Sequence, residues 1–356
     1  MKLTSLLLSS AALLVAGSAF AADLPAKKAA PAAAVVACPA FGAGFFQLPG
    51  SDTCIQLSGY VNYVASYNTQ ETSSTIAARY AQGGNYRLNL DARSNTEIGV
   101  VRGYSRLNNG ALGKAYVQFS GVTAGMKDSL ADIAGTYADN YGSGWSQSAS
   151  GIDYSMAAGP VTLAIGVENS NNNNVGATAA TQTYVSDRPD LIARVTFSAG
   201  PVGVKVAAVS HEALDSVAGV TKAQGSAILG QLTAAAGPVN LILFGGTSTA
   251  AGKYTGSPAA LDDYVGTLKL KGTSMGAEIN TQVGSAGVIA IAGHRNTHKG
   301  ITTATDQTDT SYSLFYQHTV AKSLTIRPEY LVTQSKIGTA ATTTSSTVYL
   351  RIQRDF

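Results

Sequence analysis

Few residues in this chain have the type and spacing to do chemistry. Gly272-Thr273-Ser274-Met275-Gly276 fits the Gly-x-Ser-x-Gly pattern of hydrolase nucleophiles. That chemistry needs a buried strand feeding a helix, so that the hydroxyl projects from a sharp turn. Here Leu268-Lys269-Leu270-Lys271 precedes the pattern and Glu278-Ile279-Asn280 follows it, with no helical period. A catalytic Ser274 is therefore not expected. His294 and His298 have the spacing of a zinc pair, but only on a helix, where i and i+4 share a face. No Glu lies between them, and on a strand they would stand roughly 13 Å apart. A loop or rim position is expected for both. Cys38 and Cys54 are the only 2 cysteines. An oxidising compartment permits a disulfide between them; a metal pair is the weaker reading, because no His or further Cys lies nearby. No nucleotide-binding loop or cofactor motif is present, so neither metal nor cofactor is expected.

The remaining reactive side chains are charges placed at every second position. Arg87, Asn89, Asp91 and Arg93 alternate with Tyr86, Leu88, Leu90 and Ala92. Lys269 and Lys271 alternate with Leu268 and Leu270, and Arg327 and Glu329 with Ile326, Pro328 and Tyr330. Arg194 sits between Ala193 and Val195. An extended strand sends successive side chains to opposite faces, so each segment has one wet and one greasy side. Ile55, Leu57, Val61, Tyr63 and Tyr67 form the greasy face of a further strand, against Gln56, Ser58, Asn62 and Ser66.

The elements that must position these charges are hairpins of unequal ends. Gly-Pro-Val recurs at Gly159, Gly200 and Gly237, each time between alternating runs, and long polar stretches lie between the repeats. Tight turns at one end and long loops at the other mark a transmembrane β-barrel. The N-terminus reads as a secretory signal over residues 1–21: Lys2, an apolar run from Leu3 to Val15, then Ala19-Phe20-Ala21. No later run is long enough to span as a helix, and only a closed barrel otherwise satisfies backbone groups in lipid. Low charge (13%), 38 Gly and an excess of Tyr (17) over Phe (9) agree with such a wall. A net charge of +3, with no basic stripe interleaved with aromatics, gives no support for a nucleic-acid partner.

Residues 22–54 read as an Ala- and Pro-rich leader ending in the Cys-to-Cys segment, and 55–356 as an all-β antiparallel barrel. About sixteen strands are counted, including 85–93, 97–107, 122–128 and one long segment, 263–283. That number leaves an aqueous bore, whose wall Arg87, Asp91, Arg93, Arg194, Lys269, Arg327 and Glu329 would line. Two places resist the pattern. Ile98 to Arg106 changes parity, and Asn240 to Gly245 is apolar on both faces. The 33 or so residues ahead of the first strand are too few for a plug domain, which argues against a gated receptor.

The run Cys38-Pro-Ala-Phe-Gly-Ala-Gly-Phe-Phe-Gln-Leu-Pro-Gly-Ser-Asp-Thr-Cys54 resembles the segment that precedes the first strand in alphaproteobacterial porins. Asp91-Ala92-Arg93, Ala115 to Gly121 and the final Phe356 extend the resemblance over nearly the whole chain after the leader. It implies a sixteen-stranded, typically trimeric diffusion channel in the bacterial outer membrane, in contact with its lipids and lipopolysaccharide. It further implies recognition of Phe356 by the barrel assembly machinery. A loop after the fifth strand, here 127–150, would fold into the lumen as a constriction carrying Asp128, Asp132, Asp139, Tyr137, Tyr141 and Trp145. Where the family often has Arg followed by aromatics, this chain has Met126-Lys127-Asp128-Ser129-Leu130, which implies a less basic and less bulky narrowing. The expected function is passive passage of ions and small hydrophilic solutes. A sugar- or phosphate-selective channel is the alternative, and an outer-membrane enzyme the more distant one.

Overall fold

A computed structural model describes residues 36–47, 50–70, 79–133, 148–169, 188–214, 222–256, 264–265, 267–300 and 306–356. The secretory signal 1–21, residues 22–35 of the leader and the loop residues Tyr137, Asp139, Tyr141 and Trp145 lie outside the described residues. Sixteen antiparallel strands make the wall. They are β1 Cys54–Gln70, β2 Tyr80–Thr96, β3 Gly99–Asn108, β4 Ala111–Phe119, β5 Val122–Asp128, β6 Ser148–Ala158, β7 Val161–Glu168 and β8 Asp190–Ala199. The second half comprises β9 Val202–Leu214, β10 Lys222–Ala236, β11 Val239–Thr249, β12 Lys271–Val283, β13 Gly287–Lys299, β14 Gln307–Ala321, β15 Leu324–Ile337 and β16 Thr343–Asp355. Each strand pairs with the next, and β16 returns to β1 with Leu350 opposite Ala65 and Ile352 opposite Tyr63. The sheet closes without an edge, the condition for a β-structure to sit in lipid.

All seven connections at one end are two or three residues long, from 97–98 to 322–323, whereas the other end carries 129–147, 169–189 and 250–270. The Gly-Pro repeats build three of the tight turns. Gly159, Gly200 and Gly237 have φ of 59°, 54° and 58°, and the following Pro fixes the next φ near −65°. Glycine first and a negative φ second is the pattern of a type II′ hairpin turn, whose twist matches the strands it joins. Proline's missing N–H costs nothing here, and its carbonyl is used: Pro160 O accepts from Ser198 N at 2.9 Å and Pro201 O from Ala235 N at 3.0 Å.

Alternation separates lipid from lumen. Ile228 is 62% exposed while Leu229, the next residue, is 1% exposed. Leu57, Val61, Leu88, Leu90, Ile279, Ile291 and Leu350 are all exposed on the outer face. The run apolar on both faces has a physical reason. Ile242 and Phe244 of β11 point inward, into a cluster with Ile192, Val209, Leu229 and Phe315 that is covered by Leu130, Ile133 and Tyr254 from two inward-folded loops. That part of the lumen wall is dry because loops lie on it.

Several boundaries differ from the sequence reading. Residues 263–283 do not form one strand: Tyr264–Val265 and Leu268–Lys269 make a separate small hairpin, and the wall resumes at Lys271. Lys269 is therefore not a wall residue; its Nζ donates to Gln224 O at 2.9 Å. The strand expected at 85–93 runs from Tyr80 to Thr96, because polar contacts prolong pairing beyond the apolar alternation. Tyr63 and Tyr80 hydroxyls both donate to Gln82 Oε1, at 2.7 and 2.9 Å. The parity change at Ile98 follows from a turn at Glu97-Ile98, after which Arg102 pairs with Arg93.

The barrel's seam is tight. Phe356 N donates to Gly59 O at 3.1 Å and Phe356 O accepts from Gly59 N at 3.0 Å. A Cβ at Gly59 would lie 2.0 Å from Arg87 O, so only glycine fits. Cys38, ahead of β1, and Cys54, its first residue, form a disulfide with Cα atoms 6.1 Å apart, packed with Phe45 and Phe41. Phe46–Gln47 pairs with the start of β1 inside this closed segment.

Two consequences can be measured. Closing a loop of this length stabilises by about 3 kcal/mol. Cys38→Ser with Cys54→Ser should lower the denaturant midpoint of the barrel in micelles accordingly, and an unchanged midpoint would show that the bridge contributes nothing. Ile291→Arg, on the outer face four residues above a turn, should cost roughly 2–4 kcal/mol in folding into bilayers. The same change at inward-facing, half-buried Asn62 gives the comparison.

Candidate functional site

The lumen has a wet arc and a clad arc. On the wet arc, β2, β3 and β4 bring their inward residues into rows: Arg93 opposite Arg102 and Gln118, and Asp91 opposite Tyr104 and Tyr116. Asp91, 5% exposed, accepts from both neighbouring guanidinium groups. Arg93 reaches it at 3.0 and 2.8 Å, and Arg102 at the same two distances. Two forks on one carboxylate leave a net positive charge held in fixed geometry. Arg102 also donates to Gln118 Oε1 at 2.8 Å and lies over the Tyr104 and Tyr116 rings, which stack at 5.0 Å. Asn89 Oδ1 accepts from Arg106 Nε at 3.0 Å and from the Tyr104 hydroxyl at 2.8 Å. Arg87 donates to Asn108 at 2.9 Å and faces the Tyr60 ring. The inward faces of these three strands thus carry Arg87, Arg93, Arg102 and Arg106 against one carboxylate, Asp91. At its foot Arg93 rests 4.7 Å from the Phe45 ring centroid, so the disulfide segment forms part of this wall.

The clad arc begins where β5 ends. Lys127, buried, sits between Asp153 of β6 at 2.5 Å and Glu168 of β7 at 3.5 Å. Glu168 also accepts from the Ser129 hydroxyl at 2.7 Å and from Leu130 N at 2.8 Å. This carboxylate turns the chain inward at the end of β5. Arg194 of β8 reaches the Leu130 carbonyl at 3.5 Å, and Leu130, Ala131 and Ile133 are buried against the apolar inner wall. A second segment does the same. Residues Gly252–Thr255 form a 3₁₀ turn, buried throughout, in which Lys253 and Tyr254 meet Asp190 at 2.6 and 2.5 Å. His211 Nδ1 holds the other Asp190 oxygen at 2.7 Å.

Each residue singled out in the sequence now has a place. Arg87, Asp91 and Arg93 share the wet arc. Arg194 faces inward beneath the loop, and Asp132 is, with Arg194, a charged neighbour of Lys205. Asp128 ends β5 and pairs with Lys114. Arg327 and Glu329 face inward but are buried, pair at 3.1 Å, and pack with the guanidinium 3.6 Å from the Phe315 ring centroid. Ser274 is buried on straight β12 with its hydroxyl on Asn296, without a nucleophile elbow. His294 and His298 lie on β13 and not on a loop; both are buried and face inward, His298 one residue from the strand's long-loop end with its Nε2 3.3 Å from Thr255 Oγ1. Among the described residues no cluster fit for a metal ion occurs. Sequence reasoning left the facing of Arg102 and Arg106 undecided at the parity change and missed Glu168 and the 252–255 segment. For the first two a signal existed: once Glu97-Ile98 is taken as a two-residue turn, Arg102 must pair with Arg93. Nothing in the spacing marks the inward fold of 252–255.

A family model described as a porin subfamily matches residues 23–353. Porin Omp2b of Brucella abortus is 29% identical over 232 residues, covering 56% of this chain and 63% of that protein, less than two thirds of its length. Among solved structures, the outer membrane channel DcaP of Acinetobacter baumannii has a TM-score of 0.75 at 14% identity, covering 87% of this chain and 99% of that one. OmpT of Vibrio cholerae in its trimer form has a TM-score of 0.58 at 11% identity, covering 85% and 99%. Identities this low establish a common barrel fold. With that fold and a family match over nearly its full length, the chain belongs to the porin subfamily and is a barrel of the bacterial outer membrane.

Proposed function

We propose that the barrel is a passive, water-filled channel for ions and small hydrophilic solutes. The observation that carries this reading is the arc of Arg87, Arg93, Arg102 and Arg106 on the inner wall. Such charges are excluded from lipid and too numerous to be neutralised by Asp91 alone. A polar passage selects by width, by hydrogen-bonding groups and by fixed charge. Residues 127–150 would form its constriction, with Asp128, Asp132, Asp139, Tyr137 and Tyr141 as lining groups. The anchoring of 129–133 by Glu168 and Arg194 supports that placement. Acids on the loop and guanidinium groups on the far wall would set a transverse field that orders polar solutes and disfavours apolar ones. The excess of guanidinium on the wet arc favours a second, narrower reading, preference for small anions. A homotrimer is supported by the trimer form of the OmpT structure. Phe356, whose backbone bonds to Gly59 where β16 meets β1, is the proposed assembly signal.

Purified protein should give stepwise conductance in planar bilayers; silent membranes at high protein load would remove the channel reading. A unit charge about 10 Å from an ion in water contributes about 0.4 kcal/mol before screening. Arg87→Gln with Arg106→Gln should therefore lower the anion-to-cation permeability ratio roughly two- to fivefold, read as reversal potential in a salt gradient. Breaking a buried charged contact costs about 3–5 kcal/mol. Glu168→Ala should thus release 129–133 from the wall, raising unit conductance and exposing the loop to added protease. Unchanged conductance and cleavage would show that Glu168 does not hold the constriction.

A further inference from the structure

The wall is closed only up to a certain height. β1 and β2 are 17 residues long, whereas the next strands, β3 and β4, have 10 and 9. Asn109 and Gly110 turn the chain back early, so β2 is paired on both sides only as far as Arg87, opposite Asn108. Tyr86 takes the last bonds on that side. Its N donates to Asn109 Oδ1 at 2.8 Å and its O accepts from Asn109 N at 3.1 Å. Above it, residues 80–85 keep β1 on one side and have no strand on the other.

In an antiparallel strand the N–H and C=O of one residue address the same neighbour, and the neighbour alternates along the chain. Tyr86 addresses β3, while Arg79 O accepts from Asn68 N of β1. Tyr80, Gln82 and Gly84 share the parity of Tyr86, so their N–H and C=O groups point to the open side. Among the described residues no hydrogen bond reaches those main-chain groups. From Thr96 at the tight turn, at about 3.3 Å per residue and a tilt near 40°, Tyr86 stands roughly 25 Å up and Tyr80 roughly 40 Å. The apolar band of such barrels is about 25 Å tall, so the open edge lies in water above the lipid tails. Natural proteins blunt such an edge with proline, a bulge or charge. Residues 80–86, Tyr-Ala-Gln-Gly-Gly-Asn-Tyr, contain none of these and are all exposed.

We propose that this edge of β2 docks an extended segment of another protein, which adds a strand through main-chain hydrogen bonds. The chain's own residues 71–78 are too few to cross over β2, run down beside 80–85 and return. The β2 of a second upright copy does not fit either, because strands tilted near 40° on two facing walls cross at roughly 80°. A flexible peptide has neither restriction. Arg79 and Arg87 flank the edge with no acid between them, so the complementary strand has an uncharged centre and acidic ends. A Cβ at Gly83 would meet nothing within 4 Å, and one at Gly84 only Asn62 O at 3.7 Å. A partner's aromatic ring opposite Gly84 would cover that bare stretch, with β-branched residues on either side of it. The edge is above the bore, and its docking role is independent of the channel reading.

The test is fluorescence anisotropy of a labelled peptide, Glu-Thr-Val-Tyr-Val-Thr-Glu, added to the full barrel in nanodiscs. The same peptide with its Thr, Val and Tyr nitrogens methylated keeps the side chains and loses the donors. The unmodified peptide should bind saturably, and the methylated one about tenfold more weakly or worse. Gly84→Pro, which removes one edge N–H and places a ring where the strand would lie, should weaken binding to a similar degree with unit conductance unchanged. Gly84→Ala should bind as the wild type does. Tyr80→Pro, at the first position of the strand, gives a smaller loss and serves if Gly84→Pro folds poorly. No saturable binding at millimolar peptide overturns the proposal, leaving two arginines that guard an idle edge. Equal binding of the methylated peptide, or equal binding by Gly84→Pro, overturns strand addition in favour of side-chain adsorption. Peptide block of conductance that persists in Gly84→Pro overturns it in favour of a site in the bore. A change of oligomeric state in Gly84→Pro overturns it in favour of a contact between copies.

Discussion

Every peptide group that enters a bilayer must find its partner within the protein, and here the last strand meeting the first fulfils that requirement. Backbone bonds between Gly59 and Phe356, and the register of β16 on β1, close the wall. Closure then dictates the rest. A ring of strands has only two faces, so each residue is assigned to lipid or lumen by parity alone. The chain can satisfy both solvents only by alternating. Glycine at 59 belongs to the same constraint, since the seam leaves no room for a Cβ between neighbouring strands.

Parity does not make the lumen uniform. The inner faces of β8–β14 carry Ile192, Leu229, Phe244 and Phe315, which would be poor walls for water if left bare. They are covered by Leu130, Ile133 and Tyr254, and the loops bearing these residues are fixed by buried charges, Lys127 with Asp153 and Glu168, and Lys253 with Asp190. Buried ion pairs are weak sources of net stability because desolvation offsets attraction. Their value here is positional. A loop held only by apolar contacts could slide along a smooth wall, whereas carboxylates bonded to a particular N–H, hydroxyl and ammonium set one register.

How much of this was legible follows from the range of each interaction. Faces and turns were readable because they depend on near neighbours: Tyr86 to Arg93 shows its two faces in eight letters, and Gly-Pro announces a turn. The disulfide was readable as the favoured use of two cysteines. Strand ends were not, because β2 is prolonged above the apolar band by Tyr63 and Tyr80 holding Gln82. Lys269 misled because Leu-Lys-Leu-Lys alternates whether it pairs in the wall or in a hairpin of its own. The burial of His298 was not readable, because it makes sense only once Thr255 is seen lying against that ring. The inward fold of 252–255 depends on Asp190, some sixty residues away in sequence, and no local pattern encodes that meeting.

One strand can therefore serve three surroundings at once. On β13, Ala290 and Ala292 support the loop inside, Ile289 and Ile291 meet acyl chains outside, and Arg295 and Lys299 rise to the membrane boundary. Because successive side chains never share a face, the groups at 295 and 299 are sterically separated by the sheet from those that face the bore at 294, 296 and 298. The outer cations are therefore not a by-product of making a polar lumen.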